Sequence, residues 1–171
     1  MLIRRALPTD APALAELAAR VFLETYTGLV DQADLDSHAA EAFRAEVLAA
    51  ELAAPDWVVL LAIAEDRPVG YAQLRPGACP CAPARLELAR FYVEAARHGS
   101  GVAQELMAAC YAHGEERGHD RIWLQAWEEN PRALRFYLRQ GFQDVGETSF
   151  QVGQSLFRDR VLIRALDGDF L

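Results

Sequence analysis

The sequence predicts a mixed α/β fold: a mixed, mostly antiparallel sheet flanked by helices. Apolar residues recur at helical spacing in some segments and at strand spacing in others, and the two kinds alternate through the second half of the chain. In the middle, three strand-like segments follow one another with only loops between them, a meander that makes the sheet mixed in direction. At 171 residues the chain is close to one domain at about 150 residues per domain, and long enough to bury a core without staples. No repeat, low-complexity tract or linker interrupts it, so residues 1–171 are read as a single domain.

Leu2 to Leu7 is a short β-like segment. Thr9-Asp10 offers an N-cap to a helix in which Leu14, Leu17, Ala18, Val21 and Phe22 share one face, ending near Thr25-Tyr26-Thr27-Gly28. A second helical region covers about Gln32 to Ala54 and changes phase near His38, where a break is expected. Trp57 to Ala64 and Val69 to Leu74 read as strands joined by Glu65-Asp66-Arg67-Pro68 in a hairpin. A loop rich in Pro, Gly and small residues, Arg75 to Pro83, leads to the strand Leu86 to Val93. The helix signal returns from Ser100 to about Gly114, with Val102, Leu106 and Cys110 four apart and Met107 beside them. Arg121 to Trp127 alternates as a strand. Asn130 as N-cap, Pro131 at the first helical position and Gly141 past the end then bracket a helix. Two strands close the chain, about Glu147 to Val152 and Arg160 to Leu166.

Composition narrows the function. With 52% apolar and 25% charged residues the chain is globular rather than disordered. Its formal charge of −8 works against nonspecific nucleic-acid or anionic-membrane binding and favours a cationic ligand. The longest apolar run, Trp57 to Ala64, is far short of the roughly 18 residues a membrane span needs. Met1-Leu2-Ile3-Arg4-Arg5 followed by Pro8 is not the pattern of a signal peptide. Three cysteines, Cys79 and Cys81 only two apart, argue against a disulfide framework and for a cytoplasmic chain. No second Cys or His pair lies near them to complete a four-ligand site, so no metal is expected.

Two segments have the makings of a site. One is the passage from strand to helix, Tyr92-Val93-Glu94-Ala95-Ala96-Arg97-His98-Gly99-Ser100-Gly101-Val102-Ala103. Two glycines two residues apart leave the backbone uncovered where a helix begins, and a first helical turn presents free N–H groups and a positive dipole end to phosphate. Such a turn can equally be a plain tight turn. The P-loop is excluded because Gly-Lys followed by Ser or Thr is absent, and the three-glycine dinucleotide pattern fails at Val102-Ala103.

The other segment is Asn130-Pro131-Arg132-Ala133-Leu134-Arg135-Phe136-Tyr137-Leu138-Arg139-Gln140-Gly141-Phe142. With the strand ending Phe91-Tyr92-Val93 and the loop His98 to Ala103, it resembles in order and spacing the GNAT superfamily of acetyl-CoA-dependent N-acetyltransferases. Phe22 to Tyr26, Leu86-Glu87-Leu88 and Ile122-Trp123-Leu124-Gln125-Ala126-Trp127-Glu128-Glu129-Asn130 are similar to its bacterial spermidine/spermine branch.

That resemblance implies acetyl-CoA as co-substrate and a small-molecule amine, polyamines foremost, as acceptor. It implies that Phe91, Tyr92 and Val93 pair through their backbone with the pantetheine arm, that His98, Gly99, Ser100, Gly101, Val102 and Ala103 wrap the pyrophosphate, and that Asn130 anchors the cofactor arm. The superfamily usually has Arg or Gln where this chain has His98, a modest departure because backbone N–H groups make most phosphate contacts. Tyr137 matches the superfamily's general acid, and Glu87 is the base expected to take the amine's proton, directly or through water. Each has a structural alternative: Tyr137 as a core aromatic beside Ala133, Leu134 and Leu138, Asn130 as an N-cap, His98 and Glu87 as solvated groups. Glu24, Glu128 and Glu129 are expected to line the acceptor's mouth. An amino acid, a peptide N-terminus or an antibiotic as acceptor, a non-catalytic acyl-CoA sensor, and a homodimer remain open.

Overall fold

The computed structural model describes residues 1–166. Strand β1 (Leu2–Arg5) and a 3₁₀ turn (Pro8–Asp10) precede helices α1 (Ala11–Tyr26), α2 (Gln32–Ala42) and α3 (Ala45–Ala53). Strands β2 (Val58–Ala64), β3 (Arg67–Pro76) and β4 (Leu86–Val93) follow, then a 3₁₀ turn (Ala95–Arg97), α4 (Val102–Glu116), β5 (Arg121–Trp127), α5 (Pro131–Arg139), β6 (Gln143–Val152) and β7 (Ser155–Ala165). The strands form one seven-stranded sheet in the order β1-β2-β3-β4-β5-β7-β6. All neighbouring pairs are antiparallel except β4 and β5, which run parallel.

Both faces of the sheet are covered, which is why β2 reads as an unbroken apolar run. Val58 and Leu60 point to one core, with Leu86, Leu106, Met107, Ile122 and Tyr137, under α4 and α5. Val59 and Leu61 point to the other, with Leu14, Leu17, Leu35, Leu48 and Tyr71, under α1 to α3. Burying one such Leu is worth about 2 kcal/mol, so each amphipathic stripe is held mainly by the sheet it covers.

Three local expectations are corrected. The second helical region is two helices, and the break falls at Phe43 and Arg44, not at His38. There Phe43 is buried beside Phe22 and His38, so core packing sets the corner. The Asp10 side chain does not cap α1; it turns back to the Leu7 N–H at 2.7 Å and to Arg4. The β2–β3 hairpin turns on Glu65 and Asp66 alone, both with positive φ (53° and 58°), leaving Arg67 and Pro68 in the strand.

Two irregularities position the site. Gln73 pairs with Arg90 but Leu74 with Leu88, so Ala89 is an extra residue in β4. This bulge reverses the alternation: Leu86 and Leu88 face α4, and beyond it Phe91, not Arg90, packs on that same side. Arg90 instead reaches Glu51 on α3 at 2.7 Å, where Gln73 also donates at 2.8 Å. The second irregularity is the parallel pair itself. β4 and β5 are in register only at Leu86–Ile122 and Glu87–Trp123, and from Leu88 onward they diverge.

Candidate active site

The divergence leaves backbone N–H and C=O groups of β4 between Leu88 and Val93 without a strand partner on the β5 side. Such groups require hydrogen bonds. A slot lined by them suits an extended, amide-bearing chain that can lie alongside as a strand would. Phe91, Tyr92 and Val93 form its β4 wall, all partly exposed.

At the open end of the slot the chain turns into α4. Gly99 and Gly101 have φ of +78° and +93°, a region costly for other residues, and nothing lies within 4 Å of where either Cβ would be. Gly101 is the N-cap residue of α4 and has no side chain to satisfy the first-turn N–H groups. Ser100 Oγ donates to the Arg97 carbonyl at 2.7 Å, so its hydroxyl supports the loop. Val102 is buried against Val93 and Ala62, anchoring the helix start. His98 Nε2 donates to the Val93 carbonyl at 3.0 Å, leaving Nδ1 to accept from Arg132 Nη1 at 2.7 Å.

Arg132 belongs to the first turn of α5, capped by Asn130 as expected: Asn130 Oδ1 accepts from the Ala133 N–H at 3.1 Å. Tyr137 on the same helix is buried, with its ring edge-on to Phe91, Phe136 and Phe142 at 6.2, 5.5 and 5.7 Å between centroids. Leu138, expected beside it, is exposed. Burial, reinforced by the neighbouring Tyr92, holds the Tyr137 hydroxyl well above its ordinary pKa, so it keeps its proton at neutral pH.

Glu87 lies at the last β4–β5 pair, the vertex of the slot, and is buried. Arg75 grips it with two hydrogen bonds, Nε to Oε2 at 2.8 Å and Nη2 to Oε1 at 3.2 Å. A Cβ at Gly77 would come within 2.7 Å of Glu87 Oε2, so only glycine lets the carboxylate lie there. Trp123 Nε1 donates to the Gly77 carbonyl at 2.8 Å and fixes the loop. Of the other carboxylates, Glu24 is exposed and faces Arg20 at 3.9 Å, Glu128 pairs with Arg158 at 2.7 Å, and Glu129 is exposed.

Asp159 was not anticipated. It is buried on β7 opposite Trp127, in a pocket walled by Tyr26, Trp127 and Phe157. The predicted strand began at Arg160, one residue too late to place Asp159 on an inward position. The readable signal was the alternation Phe157, Asp159, Val161 between Arg158 and Arg160.

A parallel strand pair thus opens into a slot, with a glycine turn and a helix start at its mouth. Comparison with known proteins gives the family. The acetyltransferase (GNAT) family model matches residues 15–142. An uncharacterised N-acetyltransferase of Mycobacterium bovis is 33% identical over 158 residues, 92% of this chain and 99% of that protein. The spermine/spermidine N(1)-acetyltransferase of Bacillus subtilis is 36% identical over 67 residues, only 39% of this chain and 44% of that one. Among solved structures, the Thermoplasma acidophilum PaiA N-acetyltransferase in complex with coenzyme A superposes with a TM-score of 0.77 at 20% identity, covering 96% and 98% of the two chains. A Salmonella typhimurium acetyltransferase with its cofactor acetyl-CoA has a TM-score of 0.68 at 20% identity, covering 100% and 96%. The chain belongs to the GNAT acetyltransferase family, and its activity is acetyl-CoA-dependent N-acetyl transfer.

Proposed function

We propose that the protein acetylates a primary amine of a small cationic acceptor, a polyamine in preference to an amino acid, peptide or antibiotic, with Tyr137 as general acid. The observation that carries this reading is the place of Tyr137: a buried phenol, kept protonated, in contact with Phe91 on the diverging part of β4. Phe91, Tyr92 and Val93 hold the pantetheine arm through their backbone. His98, Gly99, Ser100, Gly101, Val102 and Ala103 take the pyrophosphate on backbone N–H groups, and Asn130 flanks the arm from the other side of the slot. Bound acetyl-CoA supplies an activated acyl group.

The acceptor arrives as an ammonium and must lose a proton before its nitrogen has a lone pair to attack. Glu87, aligned by Arg75 and Gly77, takes that proton through water. The amine nitrogen then bonds to the acyl carbon as the carbon–sulfur bond breaks, and the Tyr137 hydroxyl gives its proton to the departing sulfur. The nitrogen, cationic after attack, loses its second proton to water as the amide forms; water returns a proton to Tyr137 and Glu87 releases its own to solvent, which completes the cycle. Negative overall charge, −8, supports a cationic acceptor. So does the local similarity to the Bacillus subtilis spermine/spermidine enzyme.

The test is release of CoA thiol from acetyl-CoA across a panel of amines. Spermidine and spermine are expected to give the highest kcat/KM. Preference for an acidic amino acid or a peptide N-terminus overturns the acceptor class, and CoA binding without turnover on any amine overturns the reaction in favour of a sensor.

A further inference from the structure

Asp159 is 7% exposed, yet among the described residues no side chain or backbone N–H donates a hydrogen bond to its carboxylate and no cation pairs with it. The adjacent arginines are committed elsewhere: Arg158 to Glu128 at 2.7 Å, and Arg160 to Asp144 at 2.8 Å and Glu147 at 3.2 Å. A buried carboxylate without a partner is costly, and a cationic ligand would offset that cost. Its surroundings suit one kind of ligand. The carboxylate opens into the pocket of Tyr26, Trp127 and Phe157, with Leu35 on the α2 side. Tyr26 and Trp127 lie 5.8 Å apart, and Trp127 and Phe157 meet edge-on at 5.4 Å. Aromatic faces around an anion attract an alkylammonium, through the cation and through its methylenes. The free volume is about 20 Å³, room for one water-sized group such as an ammonium head, with the chain left outside.

We propose that this pocket is a subsite for the second, non-reacting ammonium of a diamine or polyamine acceptor, with Asp159 as the residue that pairs with it. The inference rests on the amine-acetylation reading and adds to it the group that recognises the acceptor. The charge of Asp159 is felt at Tyr26, which walls the pocket, and at Tyr92, on the β4 wall of the slot, so the pocket adjoins the slot. Burial, with Glu128 nearby, raises the Asp159 carboxyl to about 6, so it is largely ionised at neutral pH and gains most from a cation.

The experiment compares 1,3-diaminopropane with propylamine, which differ only in the second amine. Wild type is expected to favour the diamine in kcat/KM, and Asp159→Asn to lose about 30-fold or more on the diamine, mostly through KM, with propylamine little changed. In parallel, 1,3-diaminopropane should raise the melting temperature of the wild-type CoA complex and not that of Asp159→Asn. Equal use of both amines by wild type, or an equal loss on both in the variant, overturns the subsite. If neither amine is acetylated but the diamine stabilises wild type alone, the subsite stands and the acceptor reaction is what fails. If the diamine neither reacts nor stabilises, both fail. Should Asp159→Asn not fold, the wild-type comparison of the two amines decides by itself.

Discussion

Arg132 on α5 and His98 in the loop before α4 meet at 2.7 Å, and His98 in turn holds the carbonyl of Val93, the last residue of β4. One side chain thus ties both walls of the slot together at its open end, beside the glycine turn.

The turn, more than the histidine, should govern cofactor affinity. Gly101→Glu places a carboxylate and a strained backbone where the phosphates would lie, and the melting-temperature rise given by CoA should vanish. His98→Ala leaves the backbone N–H groups in place and should weaken CoA by about 3-fold to 10-fold, the worth of one modest hydrogen bond. Titration by thermal shift or calorimetry checks both, and a larger loss from His98→Ala than from Gly101→Glu would reverse the assignment.

Tyr137→Phe keeps the ring and its contacts with Phe91 and Phe142 while removing the proton. Stability should hold within about 1 kcal/mol while kcat falls by about 10²-fold or more. Unchanged kcat at saturating substrates makes Tyr137 a packing residue only.

Glu87 and Gly77 should behave as a unit. Glu87→Gln removes the charge held by Arg75, and Gly77→Ala forces the carboxylate to move. Both are expected to lower the rate most at low pH, where deprotonating the amine is hardest. Parallel pH–rate profiles for wild type and Glu87→Gln point to another proton acceptor.

Glu94, at the end of β4, receives Arg20 at 2.6 Å and is gripped by Arg67 from β3. Burial works to raise its carboxyl, but the hydrogen bonds from Arg67 and Arg20 outweigh it and leave it below its ordinary value. A lowered carboxyl stabilises the fold at pH above its unfolded value and loses that contribution as pH falls through the lowered one. Both arginines are more than a third exposed and rehydrate, so Glu94→Gln should cost only about 1 kcal/mol at pH 7. Urea unfolding should show the gap closing below about pH 4, where carboxylates are protonated.

Asp159 carries the opposite sign. Its carboxyl is raised to about 6, so between about pH 4 and 6 the folded state binds more protons than the unfolded one and stability falls as pH rises. Above that window the ligand-free protein bears a penalty on the order of 2 kcal/mol, which Asp159→Asn removes. The variant should melt higher than wild type at pH 8, with the difference gone near pH 4. A variant less stable than wild type at pH 8 means that Asp159 is satisfied within the fold.

Local pattern carried the elements. Leu14, Leu17, Ala18, Val21 and Phe22 set the buried face of α1, and Val102, Leu106, Met107 and Cys110 that of α4. Asn130, Pro131 and Gly141 bracketed α5 because caps act on their own helix, within a few residues. The glycine turn was legible for the same reason: positive φ is a property of the residue that adopts it.

What depended on distant segments was not legible. Alternation alone would place Leu88, Arg90 and Tyr92 on one face; the bulge at Ala89 exists only in the register of β4 against β3, and it turns Phe91 toward Tyr137. The break at Phe43 follows from its packing on Phe22, and the exposure of Leu138 from where α5 meets the sheet. Asp159 became a site only when β7 laid it opposite Trp127 and α1 brought Tyr26 over it. Periodicity states which residues share a face of one element. Tertiary structure decides which elements face each other, because burial is shared between segments far apart in sequence, and a carboxylate's surroundings are set by all of them together.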